Sequence, residues 1–412
     1  MEHIVLSHIS KHLAANQILI DNQHGFREKL SCETQLVEAI HDWAWAIDNK
    51  YQTDVLMLDF SKAFDKVAHR KLLYKIDYYG IRENTKRWIH GFLTGRTQEV
   101  AVCGTLSTPS QVLSGVPQGS VLGPVLFLLY VNDISERVSS TIRLFADDSV
   151  MYRPIKTQTD QQLLHEDLRR VFEWANKWDM EFNIAKCTHL CVTLNRNPLK
   201  YSYTINGQSL QQKESCRYLG VTISHDLSWN KHVEQLRGKA AKSLGLVRRT
   251  LGACSSGVKE AAYTALVRPQ LEYASCAWSP HTAKYADLIE GVQNASARFA
   301  TGEYSRYTSV SGLVQRLKWQ SLKRRRLMED LTMFHKIEHG LINIKFPPDV
   351  IPSRTSNTRR SHDRQKAIIG TSLDAYKYSY FIRTISKWNN IPASCAEAVS
   401  STAFTAEMNN RM

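Results

Sequence analysis

Apolar and polar positions change period several times along the chain, and those changes outline its elements. From Met1 to about Lys50 the apolar spacing is helical, broken at DNQHGFREKLS, where Asn22 and Gly25 signal a turn. TDVLMLDF (53–60) is a short β-rich apolar run without strict alternation, the pattern of a strand buried on both faces. HRKLLYKIDYYG predicts a helix closed by Gly80, NTKRWIHGFL a second helix, and residues 97–113 a hairpin around CGTLSTPS. SGVPQGSVLGPVLFLLYVNDI starts as a Gly/Pro-rich loop and becomes a buried helix. In RLFADDSVMYR and the residue before it, Ile142, Leu144 and Ala146 alternate with Arg143 and Phe145, and Val150 and Tyr152 alternate with Ser149 and Met151. This predicts two short strands with Asp147 and Asp148 between them at a hairpin tip. QTDQQLLHEDLRRVFEWANKW carries Leu163, Leu164, Leu168, Val171, Phe172 and Ala175 on one side of a helix. Strands follow at THLCVTL, YSYTING and YLGVTIS. From about Asn230 the pattern is nearly all helical, with a looser tail, PPDVIPSRTSNTRRSHDRQ, before FIRTISKWNNIP.

Strands alternating with helices to about residue 223, then helices alone, predict an α+β domain followed by an α domain. Charge changes at nearly the same place. Residues 1–230 carry 25 Lys and Arg against 25 Asp and Glu, and residues 231–412 carry 28 against 14, so the whole formal charge of +14 falls in the second part. A neutral half followed by a basic one suggests that the second half lies on a polyanion, most simply nucleic acid, although a basic surface also serves solubility. The eight cysteines are scattered without a Cys-x-x-Cys pair, which indicates neither a disulfide framework nor a zinc ribbon and makes a reducing compartment the default. Cys187, His189 and Cys191 could share a metal, but alternate positions on one strand face suit small buried residues equally well. The N-terminus lacks the basic start and apolar core of a secretory signal, and the longest apolar stretch, residues 121–131, is shorter than the roughly 20 residues a membrane span needs. The expectation is a soluble, intracellular chain, in cytoplasm or nucleus, with no membrane partner.

The paired aspartates have a bland reading, because Asp tolerates turn backbone and hydrogen-bonds its own main chain. Asp59, at the end of the apolar strand, gives them another. Neighbouring strands would bring all three carboxylates to one sheet edge, where like charges repel unless one holds a proton or a cation is present. Mg²⁺ takes a few carboxylate oxygens plus water and phosphate oxygens, and a pair about 3.5 to 4 Å apart stabilises both the attacking and the leaving oxygen in phosphoryl transfer.

The order DVLMLDFSKAFDKVAHRKLL, SGVPQGSVLGPVLFLLYVNDI and RLFADDSVMYR resembles the palm of a reverse transcriptase of the non-LTR (LINE-type, jockey-like) retrotransposon class. The resemblance extends upstream to NQHGFREKLSCETQL and downstream through WANKWDMEFNIAKCTHL, YLGVTISHDLSWNKHV, LVRPQLEYASCAWSP and SKWNNIP, nearly the whole chain. It implies an α+β right-hand polymerase fold, with partial fingers at 1–52, palm at 53–225, an all-α helical thumb at 226–300 and a basic helical C-terminal region at 301–412. The implied activity is that of an RNA-directed DNA polymerase, a nucleotidyltransferase that extends a DNA primer on an RNA template from dNTPs with two Mg²⁺ ions. By the same resemblance Asp59 and Asp147 are the principal metal ligands, with Asp148 beside them as the more dispensable one. Phe60 offers its backbone carbonyl to the nucleotide-side metal. Phe64 is a steric gate against a ribose 2′-hydroxyl, or else a core aromatic. Gln118 bonds near the incoming sugar while Gly119 and Pro117 let backbone approach the nucleotide. Arg27 grips the triphosphate, and Lys186 protonates the departing pyrophosphate; each has a plain surface residue as its alternative.

Two further features invite chemistry. Asp65 and His69, four residues apart, form no triad; the structural expectation is that Asp65 caps a helix start with His69 one turn on. KRRRL (323–327) is either a template-phosphate contact or one exposed helix face. Members of the class carry further fingers sequence, with an Asn-Tyr-Arg-Pro-Ile-like stretch, and an apurinic-type endonuclease domain before the position of Met1; neither is in this sequence. The expectation is therefore an N-terminally truncated copy or partial gene model. The alternative function is a catalytically silent copy that retains RNA binding.

Overall fold

The computed structural model describes residues 1–353 and 362–411. The looser tail's residues 354–361 lie outside the described residues. The chain divides into two compact units that do not follow chain order: one holds residues 1–35, 51–191 and 195–214, the other 36–50, 192–194 and 215–412.

The first unit is built on a five-stranded sheet. In chain order its elements are α1 (Glu2–Ala15), β1 (Gln52–Leu58), α3 (His69–Tyr78), α4 (Glu83–Leu93), α5 (Gly123–Val131), β2 (Thr141–Phe145), β3 (Asp148–Ile155), α6 (Gln158–Lys177), β4 (Thr188–Val192) and β5 (Gln211–Gln212). Helix α2 (Cys32–Asp48) begins in this unit and continues in the other. The strand order is β5-β4-β1-β3-β2. Central strand β1 pairs antiparallel with β3, from Gln52 opposite Ile155 to Leu58 opposite Ser149, and β2 pairs antiparallel with β3. All seven β1 residues are buried, which explains why the run does not alternate. Helix α5 is buried on every side except at Pro124, as its uniformly apolar sequence requires. Gly80, at φ 81, follows the end of α3 and supplies the left-handed residue that stops it. The 97–113 hairpin forms through short pairs, Thr97–Gln98 with Ser110–Gln111 and Ala101–Val102 with Thr105–Leu106.

Helix α6 starts in a capping box, with Thr157 and Asp160 bonding each other's backbone N–H groups. One of its expected core positions is corrected: Leu163 is 42% exposed. The inward row is Gln161, Leu164, Leu168, Val171 and Ala175, and one residue turns a helix by about 100°, which carries Leu163 off that row. Gln161 holds the inward place because its amide is bound to the buried Asp54.

Among the described residues the second unit is mostly helical and carries one hairpin. Strands β6 (Ser215–Tyr218) and β7 (Val221–Ser224) pair antiparallel, and their connecting Leu219 and Gly220 sit at φ 44 and 83, both left-handed as a tight two-residue hairpin prefers. Helices include α7 (Asn230–Leu251), α8 (Ser256–Ala262), α9 (Arg268–Glu272), α10 (Ser275–Trp278), α11 (Ala283–Thr301), α12 (Val310–Arg316), α13 (Leu322–Glu338), α14 (Asp374–Lys377) and α15 (Tyr380–Trp388), with a π-helical turn at Tyr263–Val267. The KWNN segment closes α15: Trp388 Nε1 donates to the Arg364 carbonyl (2.9 Å), while the Asn389 side chain accepts the Lys366 N–H (2.9 Å) and donates to its carbonyl (2.7 Å). KRRRL is not one exposed face. Arg326 is 2% exposed and Arg325 pairs with Glu272, so two of its four cations are spent inside the unit.

Candidate active site

Asp59 follows directly on β1, Asp147 is the second residue of the β2–β3 turn, and Asp148 opens β3. Because Leu58 faces Ser149 in the register, the next step along both strands sets Asp59 beside Asp148, so the three carboxylates share one end of the central strands. The two-residue turn is Ala146–Asp147, with Ala146 at φ 56, and Asp148 is paired with Phe145 rather than free at the tip.

The 181–187 segment holds Asp59 from behind. Its carbonyl accepts the Asn183 N–H (2.8 Å) and its N–H points to Cys187 Sγ (3.5 Å). Phe60 bridges Phe182 in the backbone and stacks on its ring, centroids 4.3 Å apart. This turn delivers Lys186, whose ammonium lies 3.5 Å from Asp59 Oδ2 while the side chain stays 66% exposed. Asp59 Oδ2 itself is buried and accepts no hydrogen bond. Burial pushes the Asp147 carboxyl above its ordinary pKa, reinforced by the charge of Asp59 and opposed by a backbone hydrogen bond and Lys186. Asp148, more exposed, is also raised, by lost hydration and then by the charges of Asp147 and Asp59.

This crowding bears on cation binding. A carboxylate oxygen that has an ion-pair partner but no hydrogen bond, beside two carboxyls whose charged forms are disfavoured, fits a divalent cation, which would offset their shared charge. Among the described residues no three His, Cys, Asp or Glu side chains are gathered tightly enough to hold an ion by themselves. The three carboxylates share one strand end without closing around an ion by themselves. Cys187, His189 and Cys191 form no such group either; His189 Nε2 stands 3.5 Å from the buried Asp54.

The GVPQGS loop is bound to the segment after β1. Gly115 donates to the Val67 carbonyl (2.8 Å) and Val116 to that of Phe64 (2.9 Å). His69 Nε2 bonds the Gly115 carbonyl (2.8 Å), Ser114 Oγ donates to the Asp65 carbonyl (2.8 Å), and Gln118 Nε2 donates to Asp65 Oδ1 (3.2 Å). Asp65 therefore does not cap the helix, whose N-cap is Ala68 with no side-chain bond; with His69 it fastens this loop. Gly115 is required there, at φ 87 with a Cβ that would fall 2.8 Å from Asp65 backbone. Gly119, at φ 80, faces open space. Phe64 is half-buried, one face stacked on the buried Phe127 at 4.3 Å. Arg27 is also half-buried and donates to the Ile20 carbonyl (2.7 Å); burial lowers its pKa and Asp21 opposes that.

Sequence reasoning missed the residues that support this edge. Glu2 Oε2 accepts the N–H groups of Val121 (2.8 Å) and Leu122 (3.1 Å) ahead of α5, and Gln23 bonds the Ala146 backbone. Their only signal was proximity to motifs, since each acts across more than a hundred residues of chain.

The chain matches the family described as reverse transcriptase (RNA-dependent DNA polymerase) over residues 1–223. It is 31% identical over 317 residues to the probable RNA-directed DNA polymerase from transposon X-element of Drosophila melanogaster, covering 73% of this chain and 34% of that protein. To the RNA-directed DNA polymerase from mobile element jockey of the same organism it is 27% identical, with the same coverage of both. Among solved structures it is similar to apo telomerase from Candida tropicalis, with a TM-score of 0.45 and 11% identity over 80% of this chain and 53% of that one. The chain spans about a third of the length of the curated relatives it matches. No helix among the described residues is long and apolar enough to cross a membrane. The family match takes in more than half the chain and all three aspartates, in agreement with the jockey-like resemblance of the motifs: the chain belongs to the reverse transcriptase family.

Proposed function

We propose that the chain is the polymerase core of a non-LTR retrotransposon and extends a DNA primer on an RNA template from dNTPs. The observation that carries this reading is the shared strand end of Asp59, Asp147 and Asp148, with an Asp59 oxygen that accepts no hydrogen bond and the Lys186 ammonium 3.5 Å from it. Two Mg²⁺ ions, bound by Asp59, Asp147 and Asp148 together with the Phe60 carbonyl, would supply the charge that activates a primer 3′-hydroxyl and stabilises pyrophosphate. The chain's own residues do the rest. Lys186, exposed and beside Asp59, is in reach to give a proton to the leaving group. Phe64, braced by Phe127, presents a fixed wall to the sugar, and Gln118 is steadied by Asp65 at the loop where backbone can approach the nucleotide. Arg27 contributes positive charge for the triphosphate from a guanidinium partly committed to Ile20. The basic second part of the chain suits the phosphates of template and primer.

Primer extension on an RNA template with Mg²⁺, comparing the wild type with Asp147→Asn, tests the reading. Extension by the wild type alone supports it. No extension by either protein, with RNA retained on a filter at low salt, supports the silent copy that keeps RNA binding instead.

A further inference from the structure

The turn that carries Asp147 is not held by its own hairpin alone. Ala146 precedes the aspartate at φ 56, a left-handed conformation that is unfavourable for a residue with a Cβ. This turn has an outside partner in the loop between α1 and α2. That loop is first registered on the sheet: the Leu144 N–H donates to the Asn22 carbonyl (2.8 Å) and the His24 N–H to the Leu144 carbonyl (2.8 Å), a single parallel bridge beyond β2. From this anchored backbone the Gln23 side chain, 2% exposed, reaches the turn. Its Oε1 accepts the N–H groups of Ala146 (2.9 Å) and Gly25 (2.7 Å), and its Nε2 donates to the Ala146 carbonyl (3.4 Å). One amide thus satisfies both backbone groups of the residue immediately before Asp147. Gly25 completes the fit, because a Cβ there would fall 2.3 Å from the Ala146 nitrogen.

We propose that Gln23 is a positioning residue that sets the Ala146–Asp147 turn and thereby aims the Asp147 carboxylate. The inference rests on the polymerase reading for its catalytic consequence. Its structural consequence stands apart from that reading. Loss of the amide frees a strained turn to relax, and a displacement of about 1 Å at a catalytic group costs on the order of 10²-fold in rate. The amide holds the turn through its acceptor oxygen and its N–H together, so Gln23→Met, of similar length, removes both, while Gln23→Asn keeps an amide but draws it back by one methylene.

Hydrogen exchange of the full-length, metal-free protein reads the turn directly. Gln23→Met is expected to speed exchange in the peptide covering residues 141–152 while peptides from α6 keep wild-type protection, and Gln23→Asn, whose shorter amide falls back from the turn, is expected to do the same. In primer extension Gln23→Met should lower kcat about a hundredfold and raise the Mg²⁺ concentration at half-maximal rate, with template-primer affinity unchanged. Wild-type exchange in 141–152 together with wild-type kcat in Gln23→Met overturns the inference. If Gln23→Met loses protection everywhere, Gln23→Asn decides: a turn open within an otherwise protected protein supports the inference, and a turn with wild-type protection overturns it. A wild type that extends no primer overturns the polymerase reading, while the exchange result still judges Gln23.

Discussion

Asp54 and Asp59 stand five residues apart at β1, and they live under opposite conditions. Asp54 is fully buried yet fully served: Gln52 Nε2 (3.0 Å), Gln161 Nε2 (3.0 Å) and the Tyr203 hydroxyl (2.7 Å) donate to it. Burial pushes its pKa up, but His189 and these donors outweigh burial and hold it below the usual carboxylate value. At the other end of the strand Asp59 Oδ2 accepts no hydrogen bond, and Asp147 and Asp148 are raised although they are less buried than Asp54. Depth therefore does not decide how a carboxylate behaves on this sheet; the supply of donors does. A served carboxylate holds the fold, and an unserved group of them carries charge that the fold itself does not relieve.

The largest expected effect comes from removing the unserved charge. Asp147→Asn should lower primer extension by on the order of 10³-fold, measured as single-turnover rate with Mg²⁺. The same substitution should raise the melting temperature of the metal-free protein at neutral pH. The Asp147 pKa in the fold lies above its unfolded value, so its contribution is intact below about pH 3.9 and lost as pH rises through the folded value; a neutral Asn escapes that loss. A lower melting temperature in the variant would erase the contrast with Asp54.

Next, Asp54→Ala should cost about 4 kcal/mol in urea unfolding, because it leaves buried donors without an acceptor, while the rate per folded molecule is unchanged. Asp54 has a depressed pKa, so its stabilisation is present above its unfolded pKa and lost as pH falls below about 3.9. A variant that unfolds at the wild-type urea concentration would show that the buried network is not structural.

Lys75 marks the limit of that rule, a cation for which burial outweighs its partners. It bonds the Tyr130 carbonyl and Asp133, with its ammonium 3.7 Å from the centroid of the Trp178 ring, yet burial outweighs Asp133 and lowers its pKa to about 8. Between that value and its ordinary one of 10.5 the unfolded chain binds more protons than the fold, so stability should rise with pH across this window, by up to about 3 kcal/mol. Lys75→Met should flatten the rise, followed as unfolding free energy from pH 7.5 to 10. The smallest effect is expected at Asp148→Asn, about a tenfold loss of extension, since Asp148 is the more exposed of the pair and is tied into the ladder opposite Phe145. Equal losses at Asp147 and Asp148 would make the pair symmetric.

Much of this was legible along the chain. The β1 run, the all-apolar α5, the Gly80 stop and the ADD hairpin follow from local pattern, and the structure repeats them. Charge segregation and motif order pointed to the family. Elsewhere the pattern misled. Leu163 fits an apolar helix face but points outward, because Gln161 is drawn inward by Asp54. KRRRL resembles a solvated face but pairs Arg325 with Glu272, and Asp65 looks like a cap but ties down the loop at Gln118. In each case a polar residue found a partner distant in sequence, and a periodicity count cannot see such a partner.

By itself the sequence determined the secondary elements, the break in charge and the three carboxylates at strand ends. Burial periodicity and turn chemistry act within a few residues, and they are written in the order of the side chains. Only the tertiary structure decided which carboxylates are satisfied, that Lys186 comes to Asp59, and that Gln23 and Glu2 bond the edges of the site from more than a hundred residues away. Those outcomes depend on strand register and on which donors reach a buried oxygen, and chain closure over such distances settles them only when the core packs.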